Sequence, residues 1–296
     1  MNSTLQEWPG EIITLSDGTR NAVGLDRPWQ NEMAISRDTC PFCAEERPDA
    51  DRTFVVSVHD HGDAGKWKVR RNKMTPFPFH RLILPLECYH METLWNLGGE
   101  RNIAGALHTA ISVIHGGCES QQKITDIPGS DVFFFVHVGY SAGQRFGHEH
   151  WHLIEPPTKP TITPLDLNKL AERENLVVFS NRRFTVIAGG CRAGQCYIIP
   201  DNRKEEFHYD YVYAEVDALA QTIHRLVTLF NKKFTSAQGL KPDFQVFLRF
   251  DGGKLVYAKF IPILNMWGVT EYAAIDEHTP FVLPWPHEAT VQHLSS

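Results

Sequence analysis

The order of apolar segments in this chain occurs twice, and that repetition limits the folds open to it. Residues 66–72 and 80–85 read as two strands, a helix is expected over 91–114, and strands follow at 131–137 and 147–154. Residues 183–188, 195–200, 216–234, 243–250 and 254–262 repeat the series in the same order. Each expected helix carries a buried stripe near a 3.6-residue period. Leu94, Leu97, Ile103, Leu107, Ile111 and Ile114 form the first, and Leu219, Ile223, Leu226, Val227 and Phe230 the second. The glycines of the first helix, Gly98, Gly99 and Gly105, lower its propensity and predict an irregular start. The expected class is α+β, with two fused strand–strand–helix–strand–strand units covering residues 1–160 and 161–296.

The two units differ at their last strand. In the first, His148, His150 and His152 alternate with other residues, and alternation along a strand puts them on one face. Three imidazoles on one face can bind a metal, contact phosphates or supply a nucleophile. In the second unit Tyr257 and Lys259 stand in their place, so the chemistry belongs to the first. Residues 131–137 and the histidine strand are expected to pair as a hairpin across the glycine-bearing turn that starts at Gly139.

Cys40-Pro41-Phe42-Cys43 has the spacing of half a zinc site or of a redox pair. Its surroundings do not resemble a thioredoxin-like unit, and no second Cys-x-x-Cys follows, so histidines from elsewhere are the expected partners. The six cysteines are scattered over 296 residues without a secretion signal, which favours thiols or metal ligands over disulfides and a cytoplasmic protein. A net charge of -6 with no basic run argues against a nucleic-acid polymer as partner. No apolar stretch reaches the roughly 18 residues of a membrane span, so no membrane partner is expected.

His148-x-His150-x-His152-Leu153-Ile154 resembles the signature of the histidine-triad superfamily. The run from His137 through Gly139 and Gly143 to Gln144 resembles that family's asparagine–glycine–glycine–glutamine segment, with His137 in place of the asparagine. The stretch from His80 to Pro85, with His90 after it, resembles the family's second strand and the histidine that follows. The duplicated architecture and the Cys40-x-x-Cys43 motif resemble the galactose-1-phosphate uridylyltransferase branch, in which two such units are fused and only the first is catalytic. Arg71-Asn72-Lys73 resembles that branch's segment near the nucleotide.

The resemblance implies a function. Cys40, Cys43, His90 and His148 would form a structural zinc site, and His150 would attack an α-phosphorus to give a covalent nucleotidyl-histidine. His152 and Gln144 would assist, with Asn72, His137, Gly143 and Arg145 on the nucleotide and its phosphates. The attacking ring needs its other nitrogen held by an acceptor, and backbone carbonyls within 148–152 are the candidates. The donor would be a nucleotide sugar or a dinucleoside polyphosphate, and the acceptor a phosphate or sugar phosphate. Asn265 and Glu271 are expected on the acceptor side, and the branch implies a homodimer. Two alternatives stay open. The branch usually has glutamine where this chain has His152, while the triad hydrolases have histidine, so hydrolysis of dinucleoside polyphosphates or nucleoside phosphoramidates is one. A nucleotide-binding protein without turnover is the other.

Overall fold

The computed structural model describes residues 10–14, 20–24, 40–44, 54–72, 77, 79–86, 94–116, 131–144, 146–156, 167, 169–170, 172–190, 194–201, 213–236, 239–263 and 287–295. His90, Arg145, Asn265 and Glu271 lie outside them. Strands β1 (Gly10–Thr14) and β2 (Arg20–Gly24) make a separate antiparallel pair. A single turn of helix, α1 (Pro41–Ala44), holds the cysteine motif.

The body is one antiparallel sheet of ten strands. The first unit contributes β3 (Val55–Asp60), β4 (Lys66–Arg71), β5 (His80–Pro85), β6 (Asp131–Val138) and β7 (Trp151–Ile154). The second contributes β8 (Val177–Ser180), β9 (Phe184–Ala188), β10 (Cys196–Pro200), β11 (Asp243–Asp251) and β12 (Lys254–Ile263). The spatial order is β3-β4-β5-β7-β6-β11-β12-β10-β9-β8, so the second unit mirrors the first across the β6–β11 junction. This is the expected fold of two fused units, with their sheets joined edge to edge.

The register at the junction identifies equivalent positions. Phe135 of β6 faces Phe247 of β11. On its other side Phe135 faces His152, and Phe247 faces Lys259. Lys259 therefore occupies in the second unit the place that His152 holds in the first.

One face of the sheet is covered by α2 (Glu100–Ile114) and α3 (Tyr213–Phe234). Alternation along each strand sends Trp67 and Val69, Val132, Phe134, Val136 and Val138, and Trp151 and Leu153 into the core beneath these helices. Burying such side chains supplies most of the stabilisation, roughly 1.5–3 kcal/mol for each large one. The opposite face carries the polar residues His80, His137 and His152 of the first unit. Its metal-side edge is covered by Cys40, Phe42 and Cys43 packed on Leu82 and Leu84. In the second unit Leu167 and Leu176 cover Ile187, Tyr197, Ile199 and Tyr257 instead. A last helix, α4 (His287–Ser295), buries Leu294, and its Ser295 hydroxyl donates to the Val178 carbonyl (3.2 Å). Among the described residues no helix is long and apolar enough to cross a membrane.

Two element boundaries differ from expectation. The first helix starts at Glu100, after a short 3-10 turn over Leu94–Asn96, because Leu97, Gly98 and Gly99 all take positive φ (51°, 64° and 88°) and break the chain's helical path. The histidine strand joins the ladder only at Trp151. Ahead of it Phe146 and His148 make only isolated bridges, and the His148 carbonyl accepts the side chains described below.

Candidate active site and metal centre

The site is assembled where α1, the turn after β6 and the segment leading into β7 meet. Cys40, Cys43 and His148 are all buried and bring their donor atoms within 4.8 Å of one another. Cys43 Sγ lies 3.4 Å from His148 Nδ1. A tetrahedral zinc ion with Zn–S near ~2.3 Å and Zn–N near ~2.05 Å sets a sulfur–nitrogen edge of ~3.5 Å, so the pair is spaced for shared coordination. Two thiol sulfurs and an imidazole are the donors such an ion takes, and these residues fit a metal. A fourth donor is not among the described residues.

Phe42, between the two cysteines, links this cluster to the next histidine. Its ring centroid lies 5.4 Å from His148, 5.0 Å from His150 and 5.4 Å from Phe146. The guanidinium of Arg70, on β4, sits 5.3 Å from the centre of the Phe42 ring. His150 is 8% exposed, and its Nδ1 donates to the carbonyl oxygen of His148 at 2.8 Å. A carbonyl only accepts, so the proton is on Nδ1 and the lone pair is on Nε2. Burial pushes the His150 pKa down to about 4, the bond to His148 opposes this and the Arg70 charge adds to it. The ring is therefore neutral at pH 7.

His152 is the next residue along the face, with its ring 5.0 Å from that of His150. Its Nδ1 bonds His80 Nε2 at 2.9 Å, and the side-chain amide of Asn72 lies 3.2 Å from the His80 ring nitrogens. Its ring stacks on Phe135 at 4.8 Å and meets His137 edge-on at 5.6 Å. Beside it opens a cavity of about 350 Å³, lined chiefly by Phe77, Phe133, Phe135, His137, Gln245 and Phe247. Both units therefore contribute to its wall, β6 on one side and β11 on the other.

Gln144 is 2% exposed and is bonded at both ends of its side chain. Its Oε1 accepts the Gly139 amide (2.8 Å) and its Nε2 donates to the His148 carbonyl (3.4 Å). Within the same turn the Gly143 amide donates to Tyr140 O (2.9 Å) and the Ser141 amide to Asp243 Oδ2 (2.7 Å). The geometry thus brings Cys40, Cys43, His148, His150, His152, His137, Asn72 and Gln144 together.

The sequence reading missed Glu149. It is 1% exposed and points to the helix side of the sheet. Asn102 of α2 donates to both its oxygens (2.9 and 2.8 Å), and Trp151 Nε1 donates to Oε1 (2.8 Å). Burial pushes its pKa up to about 7 against those bonds. Alternation was a usable signal: a carboxylate between His148 and His150 falls on the same side as Trp151 and Leu153, where it needs partners. Arg70 was missed as well, and only its placement against Phe42 and His150 marks it.

The structure resembles a GalT-like protein from Arabidopsis thaliana, with a TM-score of 0.62 and 15% identity over 89% of this chain and 93% of that one. It also resembles an ADP-glucose phosphorylase from Arabidopsis thaliana with bound ADP-glucose, with a TM-score of 0.60 and 15% identity over 91% of each chain. A third similar structure is a uridylyltransferase, with a TM-score of 0.58 and 14% identity over 84% of this chain and 90% of that one. The fused histidine-triad-like fold expected from the sequence is the fold these proteins share. No protein-family model and no curated protein matches the sequence.

Proposed function

We propose that the chain is a nucleotidyltransferase or phosphorylase of the galactose-1-phosphate uridylyltransferase type. It would move a nucleoside monophosphate through His150 from a nucleotide-activated donor to a phosphate or sugar phosphate. The observation that carries the reading is the 2.8 Å bond from His150 Nδ1 to the His148 carbonyl, which leaves a neutral ring with its lone pair on Nε2. The similar folds of the uridylyltransferase and of the ADP-glucose phosphorylase support it.

In this reading His150 Nε2 attacks the α-phosphorus, the bond from phosphorus to the leaving oxygen breaks, and that oxygen departs with the electron pair. The ring becomes cationic, and its Nδ1–H strengthens against the His148 carbonyl. An acceptor oxygen then attacks phosphorus, the N–P bond breaks, and the pair returns to Nε2. His152, oriented by His80 and Asn72, faces the phosphoryl oxygens, and Gly143 and Arg145 are assigned to the same phosphates. His137 and the aromatic side chains of the 350 Å³ cavity take the nucleotide's organic part. Gln144 acts through the carbonyl of His148.

Cys40, Cys43 and His148, with His90 as fourth donor, would hold a structural zinc ion. When bound, the metal supplies a cross-link that ties α1 to the segment bearing His150. Catalysis is assigned to residues 1–160 and a supporting role to 161–296, in a cytoplasmic homodimer. His152 favours one second reading, in which water is the acceptor and the enzyme is a hydrolase of dinucleoside polyphosphates or phosphoramidates.

Product analysis tests the proposal. The protein is incubated with nucleotide sugars and dinucleoside polyphosphates, in water alone and with added phosphate or sugar phosphate. Release that requires the added acceptor supports transfer, and equal release in water alone supports the hydrolase. No turnover of any donor would leave a nucleotide-binding protein.

A further inference from the structure

The unit without the histidines holds the turn that precedes them. The β6–β11 ladder ends at the pair Val138 and Phe244, which leaves Gly139 and Asp243 side by side. Gly139 has φ 88°, and a Cβ built on it would lie 1.8 Å from Asp243 Oδ1. The carboxylate thus fills the space a side chain would need. Asp243 Oδ2 accepts the Ser141 amide at 2.7 Å, and Gln245 Nε2 donates to the Ala142 carbonyl at 2.8 Å. The turn is closed by Gln144, whose amide donates to Gly139 O at 3.1 Å and whose Oε1 accepts from Gly139 N at 2.8 Å. The other end of the Gln144 side chain reaches the His148 carbonyl (3.4 Å), the same oxygen that takes the proton of His150 Nδ1 (2.8 Å). A series of hydrogen bonds, joined by the backbone of the turn between Ser141 and Gly139, connects Asp243 to His150.

We propose that Asp243, seconded by Gln245, is a positioning residue for His150. The second unit fixes the turn, the turn fixes Gln144, and Gln144 aims the His148 carbonyl that selects the ring's tautomer. A carbonyl that drifts frees the ring to carry its proton on Nε2, the nitrogen that must be bare to attack. The catalytic consequence rests on the reading of His150 as nucleophile; the structural one does not. The series also gives a working role to a unit whose own histidine positions are Tyr257 and Lys259.

The test compares full-length Asp243→Ala, Asp243→Asn and Gln245→Ala proteins, each loaded with zinc, with the wild type. Three quantities are read: amide hydrogen exchange over residues 139–144, the His150 tautomer by nitrogen-15 NMR of histidine-labelled protein, and the rate of nucleotidyl adduct formation. In Asp243→Ala the turn exchanges faster, the Nδ1–H form of His150 loses population, and the adduct forms between ~10-fold and ~100-fold more slowly, with a smaller change in KM. Asp243→Asn keeps an oxygen for the Ser141 amide and restores all three, and Gln245→Ala moves them in the same direction by less. An unchanged His150 tautomer in Asp243→Ala overturns the proposal, as does failure of Asp243→Asn to restore it. If the wild type forms no adduct with any donor while the tautomer shifts as described, the positioning role stands and the nucleotidyl reading falls. Should Asp243→Ala fail to fold, the tautomers of Asp243→Asn and Gln245→Ala decide: a shift in Gln245→Ala alone supports the proposal, and no shift in either overturns it.

Discussion

The carbonyl oxygen of His148 accepts the Nδ1 proton of His150 at 2.8 Å, while the ring of the same His148 lies 3.4 Å from Cys43 Sγ. One residue thus joins the candidate metal cluster to the proposed nucleophile, through its ring on one side and its backbone on the other. Loss of the metal should release His150 as well as α1. Cys40→Ser, Cys43→Ser protein is expected to contain far less zinc, to unfold at lower temperature and to lose adduct formation. Metal analysis with thermal unfolding checks this; undiminished zinc would contradict the assignment.

Glu149 anchors the segment between the two histidines to α2. Its replacement by leucine leaves the buried Trp151 indole N–H without its acceptor, at a cost of ~1–3 kcal/mol, and leaves Asn102 only the Leu97 carbonyl. Glu149→Gln keeps one oxygen for these donors and is expected to cost less than Glu149→Leu. Urea unfolding of the two variants measures the difference.

Gly105 reverses the usual rule for a glycine inside a helix. Alanine there normally stabilises by ~1 kcal/mol. Here a Cβ would lie 2.1 Å from Trp67 Nε1 and 2.3 Å from the Ala64 carbonyl, which the Trp67 indole already bonds at 3.0 Å. The turn between β3 and β4 is pressed against α2, and Gly105→Ala should destabilise by ~1–3 kcal/mol through overpacking. Thermal unfolding gives the sign directly.

Acid stability should depend on His61. Its Nε2 donates to Thr109 Oγ1 (2.9 Å), whose own proton goes to the Gly105 carbonyl, and its buried Nδ1 has no hydrogen-bond partner among the described residues. Burial lowers its pKa to about 4, helped by His108 and His59 and opposed by Asp60. Asp63, Glu100, Arg101 and Asp217 line the cleft beside it. The unfolded chain takes up the proton near pH 6.5 and the folded one only near pH 4, so between these values the unfolded state binds more protons. The stability held above pH 6.5 is therefore lost as pH falls toward 4. His61→Gln, which keeps a donor for Thr109, is expected to flatten that decline when urea midpoints are compared between pH 7 and pH 5.

The strand order and the site's main axis were legible because they rest on local patterns. Residues 131–137 and the histidine strand were expected to pair as a hairpin, and β6 does pair antiparallel with β7. The duplicated order put Tyr257 and Lys259 in the place of the histidines, and the register at the β6–β11 junction matches Lys259 to His152. The Cys40-x-x-Cys43 motif called for histidine partners from elsewhere, the resemblance singled out His148, and the three converge. What escaped the sequence depends on tertiary approach. Nothing near Asn102 announces a partner 47 positions away, and nothing near Asp243 announces the Ser141 amide. The glycines before α2 were read as weak helix formers, whereas Gly98 and Gly99 end the preceding turn at positive φ and Gly105 admits Trp67.

The central claim is that His150 carries the nucleotide. Intact mass of the protein, quenched after brief exposure to a nucleotide sugar or a dinucleoside polyphosphate, tests it most directly. The account predicts an acid-labile increase of one nucleoside monophosphate per chain, present in the wild type and absent from His150→Ala. Turnover without any such adduct, or an adduct that persists in folded, zinc-bound His150→Ala, would contradict it.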